Sequence, residues 1–208
     1  MLLAILLSLA RCTPEKGDTI ILVGEEAAFK TPRQLMDKLT NAQQGSFFAS
    51  LPGRVDTTGL FPPDVMGEYK ISPKQFVKSN IGFDFFDDDN DVLLRVFEQQ
   101  NRMAKVDFFE GGHSRVDDAY VIGEGNRFTI YFTEEREVEF MGVAYRYDRL
   151  IMVNGVKTDQ GLSNLYFGNV ILGVENGIDP LVGDFEPGWY FIYKDADGLA
   201  ELGHWFKE

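Results

Sequence analysis

The chain has 208 residues, 44% of them hydrophobic, which suits one domain with a sizeable core. Its formal net charge of −13 repels phosphate backbones and argues against nucleic acid as a partner. A single cysteine, Cys12, excludes an intrachain disulfide and any metal site built from several thiolates.

Residues Met1 to Ala10 (MLLAILLSLA) are almost wholly apolar. The run is shorter than the roughly 20 residues that a spanning helix needs, and it has the length of a secretory h-region. Leu9-Ala10-Arg11-Cys12 resembles a bacterial lipobox, in which the cysteine becomes the lipidated first residue of the mature chain. The run also reads as a cleaved secretory leader, or as an apolar helix with an incidental cysteine. The lipobox reading makes residues 1–11 a signal peptide, 12–18 a polar tether and 19–208 one β-rich domain.

Thr19 to Val23 (TIILV) is a short β-branched run and a strand candidate. Thr31 to Gln44 then reads as a helix. Thr31 suits the N-cap and Pro32 the first turn, Leu35, Met36 and Leu39 share one face, and Gly45 ends it. From there the pattern changes to strands separated by turn signals. Strand candidates are Val65–Ile71, Ile81–Phe86, Val92–Glu98, Met103–Phe109, Ala119–Ile122, Arg127–Phe132, Val138–Tyr147, Arg149–Val153, Leu165–Val174 and Trp189–Lys194. The turn signals include Gly111-Gly112, Asn154-Gly155, Asn176-Gly177 and Asp197-Gly198. The spacing leaves no room for crossover helices, so the sheet is expected to be antiparallel.

Alternation divides the strands into faces. Phe128, Ile130 and Phe132 oppose Thr129 and Tyr131. Leu165, Phe167 and Ile171 oppose Tyr166, Val170 and Leu172. Trp189, Phe191 and Tyr193 oppose Tyr190 and Ile192. Strands apolar on both faces suit a filled barrel with a partly covered outside, or two packed sheets.

Three segments carry a resemblance: Tyr120 to Phe132 (YVIGEGNRFTIYF), Leu150 to Val174 and Trp189 to Leu199 (WYFIYKDADGL). A Gly-Asn turn leads into an apolar strand. Gly155, Thr158, Gly161 and Leu162 form a second turn, and a long aromatic strand follows. This order resembles uncharacterised cell-envelope lipoproteins of gut Bacteroidales with a lipocalin-like, or broadly calycin-like, domain. The resemblance implies an exported, barrel-like domain and supplies no catalytic residues. The expected fold is mainly β, an antiparallel meander closing into a lipocalin-like barrel with one short N-terminal helix. A β-sandwich is the alternative.

The constellations that suggest chemistry are sparse. His113, Ser114 and Asp117 lie close together beside Gly111-Gly112, but a triad needs convergence in space and not in sequence. His204 beside Trp205 reads as a packing or surface residue. Asp87, Asp89 and Asp91 offer alternating oxygens for a cation, yet Val92 stands where a calcium loop places glycine, so an acidic turn is the simpler reading. Glu134-Glu135 and Glu137 with Glu139 read as a charged turn or edge rather than as a glycosidase pair. No cofactor motif occurs.

The expected function is that of an exported, lipid-anchored protein that binds a small apolar or glycan-type ligand without catalysis. Cys12 supplies the membrane anchor, and Phe128, Tyr131, Phe167, Trp189 and Phe191 line the ligand. The expected location is the cell envelope, at the outer membrane or in the periplasm. The alternatives are a structural or interaction protein of the envelope and a hydrolase acting on carbohydrate or lipid.

Overall fold

The computed structural model describes residues 29–52, 59, 61–82, 91–140, 143–175, 178–179, 183–184 and 186–206. Cys12, the tether, the 19–23 run, Asp87, Asp89 and the Asn176-Gly177 signal lie outside the described residues. Among those described, no helix is long and apolar enough to cross a membrane.

Two helices stand where one is expected. α1 covers Pro32–Leu35 and α2 covers Asn41–Ser50. The break has a local cause. Thr31 and Thr40 each form a capping box, with Gln34 and Gln43 respectively, so the chain starts a second helix at Thr40. The Gln44 side chain stitches the break by donating to the Met36 and Leu39 carbonyls at 2.8 and 3.1 Å. Gly45 lies inside α2 and does not end it.

The strands are β1 (Gly67–Ile71), β2 (Lys74–Ser79), β3 (Val92–Gln100), β4 (Met103–Phe109), β5 (His113–Glu124), β6 (Arg127–Phe140), β7 (Val143–Thr158), β8 (Gly161–Glu175), the two-residue β9 (Ile178–Asp179) and β10 (Gly183–Asp184), β11 (Tyr190–Asp195) and β12 (Leu199–Gly203). Ten of them form one antiparallel sheet in the order β12-β1-β3-β4-β5-β6-β7-β8-β11-β2. A further pairing of β12 with β8 closes a ring of eight strands, so the architecture is barrel-like, and β9 and β10 form a separate two-stranded sheet. β8 therefore branches. Gly161, Leu162 and Ser163 pair with β12, and Tyr166 to Val170 pair with β11.

Several boundaries differ from the sequence reading. Val138–Tyr147 is not one strand, because it contains the end of β6 and the start of β7. Asp148 does not interrupt β7, which runs on into the segment expected as a separate strand. Asn154-Gly155 is not a turn but a register shift within β7. A Cβ on Gly155 would lie 3.1 Å from the Ser163 carbonyl oxygen and 3.3 Å from Phe128 Cζ, so glycine serves a close approach. Ile81 and Gly82 lie in a bend, and the rest of the Ile81–Phe86 candidate is outside the described residues.

The face assignments hold. The interior core contains Phe128, Ile130, Phe132, Leu165, Phe167, Phe191 and Tyr193. Tyr131, Val170, Leu172, Tyr190 and Ile192 form an outer core with Met36, Leu39, Phe47 and Leu51. The two helices thus cover one flank of the ring, which explains the strands apolar on both sides. The approach is close at Gly168, where a Cβ would meet Ile192 Cδ1 at 2.7 Å and Leu51 Cδ2 at 2.8 Å.

Candidate functional site

The five aromatics expected to line a ligand divide between the faces. Phe128, Phe167 and Phe191 point inward and are buried, and the half-buried Trp189 packs against the same interior. Tyr131 faces outward under Phe29, and its hydroxyl donates to the Lys30 carbonyl at 2.8 Å. Inside, Phe167 stacks on Tyr193 with ring centroids 5.0 Å apart, and Phe108 meets Phe132 edge-on at 5.6 Å. These rings line the apolar part of the interior.

The other interior feature is charged. Inward positions recur along β6 as Phe128, Ile130 and Phe132, and the next in the series is Glu134. On β4 the series Ala104, Val106, Phe108 leads to Glu110, just past the strand. On β7, Arg149 precedes Ile151 and Val153. Glu134 and Arg149 are direct cross-strand partners. Arg149 Nε donates to Glu134 Oε1 at 2.6 Å, and Nη1 donates to Glu110 Oε2 at 2.8 Å. All three are buried, with Arg149 only 1% exposed.

Two more cations border this group. Lys74 Nζ lies 3.8 Å from Glu110 Oε1 and 4.9 Å from the centre of the Tyr193 ring. Arg136 donates to the Gly112 and Glu110 carbonyls at 3.2 and 3.0 Å, pinning the β4–β5 turn. A Cβ on Gly112 would lie 3.0 Å from the Arg136 guanidinium, so glycine keeps that seat open. Burial alone lowers the pKa of Arg149. Glu110 and Glu134 outweigh it and hold the guanidinium above its ordinary value. Burial likewise raises the phenol of neighbouring Tyr147.

Asn169 completes the constellation. It is fully buried on β8, paired across the sheet with Ile151 on β7 and Phe191 on β11. One step along, Arg149 pairs with Ile171, so Asn169 and Arg149 are diagonal neighbours on the inner face. Among the described residues, neither Oδ1 nor Nδ2 of Asn169 has a hydrogen-bond partner. The same holds for Glu110 Oε1 and Glu134 Oε2.

No family model, no curated protein and no solved structure matches the chain.

The remaining sequence candidates fall outside this constellation. His113 begins β5 on the outer surface, its side chain 55% exposed and its Nε2 3.5 Å from Asp107 Oδ1. Pleat alternation sends Ser114 to the opposite face, so no triad forms. Asp107 also meets Arg95 at 3.3 Å, and Arg95 meets Glu68 at 3.0 Å. Glu68 in turn accepts from the backbone N–H groups of Trp205 and Phe206, which fastens the C-terminal segment to the sheet. His204 in that segment is exposed. Asp91 is engaged by Lys70 at 2.7 Å and by the Ser72 hydroxyl, contacts that lower its pKa. Among the described residues no group of acids, His or Cys is arranged to hold a metal ion. Glu135 and Glu137 are exposed and pair with Arg146 at 3.1 and 3.0 Å. Glu134, expected beside them on a charged edge, is instead inside.

Sequence reasoning missed Glu110, Glu134, Arg149 and Asn169 as a group. The signal was present: each continues an inward period of two begun by apolar residues.

Proposed function

We propose that the chain is a non-catalytic binding protein that holds a small molecule inside the strand ring, its polar end at Asn169. The observation that carries this reading is the Asn169 amide, fully buried with both polar atoms unpartnered among the described residues. Such a group costs about 1–3 kcal/mol of stability, so a leucine would serve the fold better. Sites that break local packing rules in this way are characteristically functional. The aromatic interior beside it supplies an apolar wall. The buried carboxylates are not arranged as a hydrolytic pair. Glu110 and Glu134 are bridged by one guanidinium rather than set apart across a cleft. The lipobox-like Cys12 supports placing this binding protein in the cell envelope on a lipid anchor.

The test pairs binding with stability. N-phenyl-1-naphthylamine, a neutral fluorescent probe, is titrated into wild type and Asn169→Leu. The expected result is saturable binding of one probe per wild-type chain. The variant is expected to bind more weakly while gaining about 1–3 kcal/mol of stability. Absence of saturable binding to wild type, or a variant that melts lower than wild type, overturns the reading.

A further inference from the structure

The hydrogen-bonding capacity left over around Arg149 restricts what a ligand brings to it. Three buried oxygens are without a hydrogen bond among the described residues: Glu110 Oε1, Glu134 Oε2 and Asn169 Oδ1. Beside them, among the described residues, the Asn169 amide nitrogen also lacks a hydrogen bond, while Arg149 Nη2 is held against Glu134 Oε1 in an ion pair. Glu110 Oε1 has Lys74 Nζ near it, but at 3.8 Å, beyond hydrogen-bond length. The ligand must therefore donate more than it accepts. An ionised carboxylate only accepts, so it faces three oxygens with nothing to offer them.

Charge removes the opposite choice. Among the described residues, the cations Lys74, Arg136 and Arg149 already gather around Glu110 and Glu134. An ammonium group brings donors but adds a fourth positive charge in a buried place. A hydroxyl donates one hydrogen bond, accepts up to two and carries no charge. Two or more hydroxyls on adjacent carbons supply several such donors without charge. Trp189 and Phe191 pack at the same end.

We propose that the ligand's polar end is an uncharged, hydroxyl-bearing group, a polyol or sugar ring, received by Glu110, Glu134 and Asn169. This rests on the binding reading above and narrows it to one ligand class.

The experiment displaces bound N-phenyl-1-naphthylamine with matched competitors below their aggregation limits. Octyl β-D-glucopyranoside, octanoate and octylammonium share one tail and differ in the head. Methyl β-D-glucopyranoside carries the sugar head without the tail. The octyl glucoside is expected to compete ~10-fold or more better than either charged compound, a difference of about 1.4 kcal/mol. In Asn169→Leu, which keeps the ion network intact, that preference is expected to collapse. If the methyl glucoside competes as well as the octyl one, the ligand is a free sugar. If it does not, the sugar is lipid-borne. Octanoate or octylammonium competing best, or all three equally, overturns the hydroxyl assignment and leaves the binding reading standing. Failure of wild type to bind the probe at all, with no competitor shifting its melting temperature, leaves buried water as the partner of these atoms and overturns both.

Discussion

Glu134 and Arg149 sit directly opposite each other on β6 and β7, and both turn their charges into the ring. A pair this deep is a poor source of net stability, because desolvation offsets its attraction, but a broken pair is costly. Arg149→Leu leaves Glu110 and Glu134 buried without their shared cation. It is expected to destabilise the protein by about 3–5 kcal/mol in denaturant unfolding. Replacing Glu110, Glu134 and Arg149 together with apolar residues of similar volume is expected to recover most of that loss.

The seat of α2 on β8 is tested at Gly168. Its missing side chain lets Leu51 and Phe47 approach the strand. Gly168→Ala forces contacts below 3 Å with Ile192 and Leu51, and is expected to cost about 1–3 kcal/mol. Gly45→Ala on the open side of α2, where nothing lies within 4 Å, is expected to stabilise by up to about 1 kcal/mol. Thermal unfolding of the two variants side by side checks both signs.

Asp195 gives a pH prediction. Burial, reinforced by neighbouring Asp197, pushes its carboxyl up to about 7. An acid raised in the fold is penalised when ionised. The penalty is absent below its unfolded pKa of about 3.9, grows as pH rises towards the folded value, and is constant above it. Asp195→Asn is therefore expected to raise the melting temperature at pH 8, with the gain over wild type shrinking towards pH 4. A variant-minus-wild-type difference that stays flat between those values refutes the assignment.

The proposed lipid anchor is tested at Cys12. Radiolabelled palmitate is expected to enter wild type and not Cys12→Ala when each is produced in a Gram-negative host. Equal labelling refutes the anchor.

Much of this architecture was legible because period two survives burial on both faces. The inward sets of β6, β8 and β11 follow from alternation alone. What misled was punctuation without its context. Asn154-Gly155 has the composition of a hairpin turn, yet β6 and β8 hold it in ladders on both sides, so it becomes a bulge. β2 went unseen because Lys74–Ser79 carries only Phe76 and Val77 as apolar residues, and pairing with β11 supplies the rest. The single expected helix became two because Thr40 repeats the cap of Thr31. The charged interior was legible in the same alternation. Glu110, Glu134 and Arg149 continue the inward period against the general tendency of charge to face water.

The branch in β8 separates two mechanical tasks. The eight-strand ring shuts through β12 and needs neither β11 nor β2. Those two strands hang from the middle of β8 by the ladder at Tyr190 to Lys194, beside the buried charges. The ladder that shuts the ring and the ladder that carries β11 and β2 are therefore separate stretches of one strand edge.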